Sequence, residues 1–322
     1  MPPSRSLRPV STASEMTFGR PLAARRALFV SWIGHHGRSE DLAAALGAEC
    51  AFVAVGRLTD RRTAPLRHLV QALRTLVLLA RRRPEVLIVM APPSTLVVLA
   101  LMWRRLTRRK LVVDCHSKAV LGHPLSWRLA ARADLALVTI PELTEGFSRV
   151  IAVHDPPATA VAAERHAEVV FPASWYDDEP IDALLSAAEQ LPDVRFAITG
   201  RSPAGLQVPS NVRLTGYLPR ADYLDLIAGA PLVLALTTRK ATMQRAAYEA
   251  VAAGRPVVAS ETAALRSYLG AGAHYATPDA LAPVVRGALA SLPALEAAVT
   301  RVRDEQRAAF SRALHEVGRV LA

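Results

Sequence analysis

Thr238, Arg239, Lys240 and Thr242 stand between an apolar run, PLVLALTT, and an alanine-rich helical stretch, TMQRAAYEAVAAGRPVVAS, which carries one carboxylate, Glu249, in its middle. Basic side chains and the unpaired N–H groups of a helix start converge at such a place, and that combination suits a diphosphate. Thr242 lies two turns before Glu249, so at roughly 100° per residue the two share one helix face to within about 20°. Arg245 shares that face, Met243 covers another direction, and Gly254 with Pro256 supplies the stop. A carboxylate accepts two hydrogen bonds at once, as a ribose diol requires. The competing reading is that Glu249 only pairs with Arg245 on a solvated helix face. The ribose reading predicts that Glu249→Ala leaves the fold intact, because the face is polar, and weakens nucleotide binding.

Other candidates also follow apolar runs. In SWIGHHGRSEDLAAALG, Gly34 and Gly37 permit a tight turn, Ser39 is a candidate N-cap ahead of Glu40 and Asp41, and the polar loop Gly34, His35, His36, Gly37 and Arg38 could meet a phosphate or an acceptor group. The pattern is not GxGxxG and no acidic residue closes the second strand, so a dinucleotide is not expected. DCHSK places Asp114 and His116 on one side of a strand, either orienting the ring or forming a satisfied strand-end pair. His116 has no further ligands at metal-like spacing, and no metal is expected. In FPASWYDDEP, the small residues Ala173 and Ser174 let a ligand approach the loop backbone, while Asp177, Asp178 and Glu179 read as the acidic first turn of a helix. Gly200 and Arg201 end a strand in ITGRS, where the Arg either reaches a phosphate or is solvated.

These positions need strands to carry them. ALFVSW, AFVAVG, EVLIVMA, KLVVDCH, DLALVTI and RVIAVHD read as strands separated by helical stretches; after DPPATAVAAERHA the alternation restarts with EVVFPAS, VRFAITG, NVRLTGYL, PLVLALTT, RPVVAS and AHYAT. The expected fold class is α/β, two Rossmann-like, doubly wound parallel sheets facing across a cleft. Expected boundaries are a disordered basic tail over 1–25, a first domain over 26–160, a second over 161–294, and one or two terminal helices over 295–322 that pack back at the junction. STLVVLALMW, Ser94 to Trp103, is about half the length of a membrane span and reads as a buried or an interfacial helix.

Charge divides the chain. Up to Val150 there are 23 basic and 10 acidic residues, a net +13; beyond it there are 16 and 18, a net −2. A basic half suits an anionic membrane surface, a phosphate-bearing substrate or nucleic acid; without aromatic platforms or a recognisable motif, nucleic acid is not expected. Cys50 and Cys115 lie in separate apolar runs and suggest no disulfide framework, and the first residues contain no apolar signal segment. A cytoplasmic protein, peripheral at the inner face of the plasma membrane, is the expectation.

In its second half the chain resembles the GT-B fold glycosyltransferases, most closely the GT4-like, or group 1, set. The resemblance runs through FPASWYDDEPIDALLSAAEQLPDVRFAITG, NVRLTGYLPRADYLDLIAGAPLVLAL and AAYEAVAAGRPVVAS in the family's order, while SWIGHHGRSEDLAAALG and DCHSKA resemble a bacterial polysaccharide-type subset. The resemblance implies that Glu249 binds the donor ribose and that the helix start faces its diphosphate. Two family features differ: Thr242 stands where the family has an acid, and FPASWYDD lacks the family's Arg and Lys, which passes phosphate neutralisation to Arg201, Arg239, Lys240 or the helix dipole. The expected function is a metal-independent glycosyltransferase of the hexosyltransferase type, with no cofactor beyond a nucleotide-sugar donor, and a lipid-linked or glycan acceptor. Asp114, His116 and Glu40 are candidate bases if the stereochemistry inverts. The alternative is a catalytically inactive nucleotide-binding subunit, for which Thr242 is the motive.

Overall fold

The computed structural model describes residues 21–56, 62–116, 124–155 and 163–322. The first sheet contains β1 (Ala27–Ser31), β2 (Glu49–Phe52), β3 (Val86–Ala91), β4 (Lys110–Cys115), β5 (Leu135–Val138) and β6 (Val150–Ala152), all parallel, in the order β2-β1-β3-β4-β5-β6. The second contains β7 (Glu168–Phe171), β8 (Arg195–Thr199), β9 (Val212–Gly216), β10 (Val233–Ala235), β11 (Val257–Ser260) and β12 (Ala273–Ala276), also parallel, in the order β12-β11-β10-β7-β8-β9. A parallel sheet is covered on both faces, so its central strands bury every side chain and read as continuous apolar runs. VLIVMA in β3 and LALV in β5 are buried throughout. Two doubly wound sheets, the expected fold class, are what the chain forms.

Helices α2 (Ala64–Arg82), α3 (Ser94–Thr107) and α4 (Pro124–Ala130) cover one face of the first sheet, through Leu79, Leu96, Val97, Ala100, Trp103 and Ala130. Helix α1 (Gly37–Leu46) covers the other, with Leu42 and Leu46. The second sheet lies between α5 (Ile181–Gln190) with α9 (Leu281–Ala290) on one side, and α6 (Arg220–Gly229), α7 (Arg245–Ala252) and α8 (Ala263–Leu269) on the other. The C-terminal segment is a single helix, α10 (Leu292–Leu321), spanning both domains. Its first half places Leu295 and Val302 against the second sheet's layers, and its second half inserts Phe310, Leu314, Val317 and Leu321 beside α1 against the first sheet.

Several local expectations change. Residues 1–20 of the expected tail lie outside the described residues, and 21–25 are an ordered turn: Leu22 is buried, its N–H donates to the Leu46 carbonyl at 3.0 Å, and Arg25 donates to the Leu321 carbonyl at 2.6 Å. Of the expected linker, 156–162 lie outside the described residues. The helix expected from Thr242 begins at Arg245 with Gln244 as its N-cap, so Thr242 and Met243 belong to a loop and the face-sharing of Thr242 with Glu249 does not exist. Ser39 is not the cap of α1: His36 is, with its ring Nδ1 accepting from the Ser39 N–H at 3.3 Å. Asp177, Asp178 and Glu179 precede α5 without forming its first turn, which starts at Ile181.

Leu314→Ala is expected to destabilise the protein by about 2–5 kcal/mol, the usual cost of a large-to-small change in a core. Denaturant unfolding checks this; a loss below about 1 kcal/mol would mean that α10 contributes little to holding the first sheet.

Candidate active site

In open α/β sheets a ligand binds beyond the carboxyl ends of the strands, where the strand order reverses. In the second sheet that point lies between β7 and β10. A cleft of about 340 Å³ opens there, lined by Ser174, Thr199, Gly200, Tyr217, Tyr223, Arg245 and Glu249, and from the first domain by His35. The topology thus gathers five sequence-predicted residues, Ser174, Gly200, Arg245, Glu249 and His35, at one place.

Glu249 does not lie on a solvated face. Its side chain is 3% exposed, and both oxygens are engaged: Oε1 accepts from Arg245 Nε at 3.0 Å and Oε2 from the Tyr223 hydroxyl at 2.6 Å, with Arg220 Nη1 at 4.0 Å. Replacement by Ala would therefore leave the Tyr223 hydroxyl without its acceptor, at a cost of about 1–3 kcal/mol; the expected neutrality toward folding is corrected. A carboxylate accepts about four hydrogen bonds, so two remain for a ligand. Burial raises the Tyr223 pKa well above its usual 10, and the neighbouring Glu249 charge raises it further, which keeps the phenol a donor.

Arg245 carries the site across the domain boundary. Its guanidinium also reaches Asp41 Oδ2 at 3.2 Å and Asp155 Oδ2 at 3.6 Å, both in the first domain. A Cβ on Gly37 would come within 2.7 Å of Arg245 Nη1, so a side chain there would displace that guanidinium. Asp155 Oδ1 in turn accepts from Arg38 Nη1 at 2.9 Å, and Arg38 forks onto Asp114 at 2.9 and 3.3 Å. Arg38 and Asp114 are buried. Burial opposes both charges, yet the pairing outweighs it: the Arg38 pKa rises and the Asp114 pKa falls.

Two expectations end here. Arg38 is not a loop side chain available to an acceptor, and Asp114, enclosed and claimed by Arg38, is not placed to deprotonate one. His116 Nε2 lies 3.5 Å from Asp114 Oδ2, close enough for attraction, but makes no hydrogen bond among the described residues. Its ring meets His36 edge-on at 4.6 Å. Glu40 is exposed on α1, 3.7 Å from His35 Nδ1. Gly34 is exposed at the mouth of the same loop.

The loop after β7 is built by Glu179. Its carboxylate accepts from the Ser174 N–H at 2.9 and 3.0 Å and from the Trp175 N–H at 2.7 Å, so the expected backbone approach at Ser174 is already filled by an internal anion. Trp175 takes a left-handed φ of 59°, and its ring nitrogen donates to the Thr199 carbonyl at 2.9 Å. Gly200, at φ 86°, has no room for a side chain against Ala173 and the Trp175 ring. Asp178 accepts from Thr237 at 2.8 Å.

The expected phosphate-binding cations are mostly elsewhere. Arg239 pairs with Asp177 at 2.7 Å and Asp178 at 3.4 Å, which corrects its assignment as a phosphate ligand. Lys240 is exposed on the same loop, Thr242 is half-buried there, and Met243 packs into the apolar layers of both domains. Arg201 stacks 5.4 Å over Tyr217 at the cleft edge. Sequence reasoning missed Tyr223, Tyr217, Arg220, Asp155 and Glu179. Glu179 read as part of a helix first turn, and Asp155, an acid just past an apolar run, as part of a linker. Among the described residues no group of three or more His, Cys, Asp or Glu is arranged to hold a metal ion.

Burial, then His116, lowers the His36 pKa from 6.5 to about 4; burial, then Arg38, does the same to His154, whose Nδ1 lies 3.0 Å from the Tyr248 hydroxyl of α7. Between pH 6.5 and 4 the unfolded chain binds protons that the native one refuses, so these rings stabilise the fold fully above 6.5 and progressively less as pH falls. The melting temperature should drop between pH 7 and 5, and less steeply in His154→Asn; parallel profiles would contradict this.

Residues 167–291 match the model of the family described as Glycosyl transferases group 1. No curated protein matches the chain in sequence. Among solved structures, Anabaena Alr3699/HepE in complex with UDP and glucose is 14% identical with a TM-score of 0.68, covering 92% of this chain and 99% of that one. Sucrose-phosphate synthase from Thermosynechococcus elongatus is 14% identical at 0.69, covering 92% and 98%. The lipopolysaccharide outer core galactosyltransferase WaaB is 14% identical at 0.61, covering 91% and 99%. Such identities speak for the fold: the chain has the two-domain GT-B architecture, and it is within the second domain that residues 167–291 match the group 1 glycosyltransferase model.

Proposed function

We propose that this protein moves a glycosyl unit from a nucleoside-diphosphate sugar, held at the β7/β10 switch point, to an acceptor presented by the first domain. The observation that carries the reading is Glu249: a nearly buried carboxylate, oriented by Arg245 and Tyr223, that lines the cleft within the segment matching the group 1 family. Two free acceptor positions on its oxygens suit the ribose diol. Arg220 and Arg245 are the cations nearest that carboxylate, and with the N–H groups at the start of α7 they would balance the leaving diphosphate without a metal. Closure of the sheets on each other would exclude water and disfavour donor hydrolysis. The solved Anabaena structures hold UDP and UDP-glucose, which supports a nucleotide sugar as the donor class here.

The finer assignment is GT4-like hexosyl transfer, of the bacterial polysaccharide type, to a lipid-linked or glycan acceptor at the inner face of the plasma membrane. His35, at the cleft and beside Glu40, is the best-placed first-domain side chain to take the acceptor proton if the configuration inverts. His116 is set deeper, against Asp114. A second reading, a nucleotide-binding subunit without turnover, draws on Thr242 and on the two protein partners that already occupy Glu249.

Thermal shift against UDP, GDP, ADP, TDP and their sugars tests the first part: at least one nucleotide should raise the melting temperature. Glu249→Gln, which keeps the shape and removes the charge, should weaken that nucleotide at least tenfold by calorimetry. Unchanged affinity would refute the ribose role, and nucleotide binding without sugar transfer across an acceptor panel would favour the second reading.

A further inference from the structure

Helix α2 is turned opposite to the usual sense. Its inward stripe is Arg67, Gln71, Thr75 and Leu79, all buried, and its outward stripe is Leu66, Leu69, Leu73, Leu76 and Val77, each exposed, Leu66 to 65%. At about 100° per residue the two stripes lie on opposite sides of the helix. The inward polar groups are satisfied: Gln71 Nε2 donates to the carbonyls of Trp32 at 2.8 Å and Val53 at 2.7 Å, and the Trp32 ring N–H donates to Thr75 Oγ1 at 2.9 Å. Rotating α2 to bury its leucines would break these bonds, so packing fixes the leucines outward.

The neighbouring helix continues the surface. In α3, Leu96, Val97, Ala100 and Trp103 face the sheet, while Val98, Met102 and Leu106 are exposed, Leu106 to 82%. Thr95 Oγ1 lies 3.3 Å from His68 Nδ1, joining the two helices near their N-terminal ends. Contiguous exposed apolar surface on a folded domain marks an interaction site. From Arg62 to Val113 the chain has eleven Lys and Arg residues and a single acid, Glu85. Arg74, Arg81, Arg105 and Arg108 are exposed on these helices or just beyond them.

We propose that the outer face of α2 and α3 docks onto an anionic phospholipid bilayer and lies in its interface. An apolar stripe flanked by arginines is the pattern of an interfacial helix, where leucines enter the acyl boundary and guanidinium groups meet the headgroups. No single helix among the described residues is long and apolar enough to cross a membrane. A second copy on this face would bring two cationic surfaces together, whereas an anionic bilayer complements them. Helix α3 starts just after the carboxyl end of β3, and His68 of α2 meets it there at Thr95, so the docked face borders the cleft side of the first sheet. The docking surface stands apart from the donor reading; only its use in presenting a lipid-borne acceptor rests on that reading.

Flotation of the full chain with neutral phosphatidylcholine vesicles and with vesicles containing phosphatidylglycerol tests the surface without any transferase assay. Wild type should partition onto the anionic vesicles at least tenfold more, with salt weakening the binding. The triple variant Leu69→Ser/Leu73→Ser/Leu76→Ser and the double variant Arg74→Glu/Arg81→Glu should each lose tenfold or more while their melting temperatures stay near wild type. Equal partition onto both vesicle types, binding to neither, or retention by folded variants would overturn the proposal. So would a wild-type dimer in sedimentation that the leucine variant converts to monomer, since a second copy would then cover the face.

Discussion

Asp155 accepts from Arg38 of the first domain and faces Arg245 of the second, and on this shared carboxylate the arrangement of the two sheets depends. Charges removed from water persist only when paired, and breaking such a pair costs far more than it gained by forming. Arg38 is therefore committed to Asp114 at the end of β4 as well as to Asp155 beyond β6, and Arg245 to Asp41 on α1 as well as to Glu249. The ends of β4 and β6, the start of α1 and the start of α7 are fixed relative to one another by charge.

The same chain ends in the cleft. Glu249 is oriented by Arg245 and Tyr223, and Arg245 is oriented by first-domain acids, so a ligand that competes for the Glu249 oxygens also bears on the domain junction. Helix α10 limits how far the sheets can part, because one continuous helix packs against both. His154, hydrogen-bonded to Tyr248 of α7 and ringed by Tyr248 and Tyr268, fills the remaining gap with aromatic contacts. A closing motion would have to keep these contacts or exchange them together.

Much of the fold was legible in the sequence because buried parallel strands are apolar runs bounded by polar punctuation. The strands found lie within runs such as EVLIVMA and PLVLALTT, except β2, which begins at Glu49, two residues ahead of AFVAVG. The start of α7 was not legible: TMQ continues the helical phase, yet the helix begins at Arg245, and Met243 ahead of it packs against both cores. Glu249 was legible as a candidate from its signature, but its burial was not, since the partner Tyr223 lies on another helix. Asp155 and Arg38 are 117 positions apart, and no local pattern pairs them. Periodicity identified α2 without telling which face is inward, and the face that packs is the polar one.

The proposed donor site turns on Glu249 reading a ribose. Calorimetric titration of the best-binding nucleoside diphosphate and of its 2′- and 3′-deoxy analogues, against wild type and Glu249→Gln, addresses it most directly. Wild type should bind the ribose form at least tenfold more tightly than a deoxy analogue, and the variant should lose that preference. Equal discrimination by both proteins would contradict the assignment and move the nucleotide away from α7.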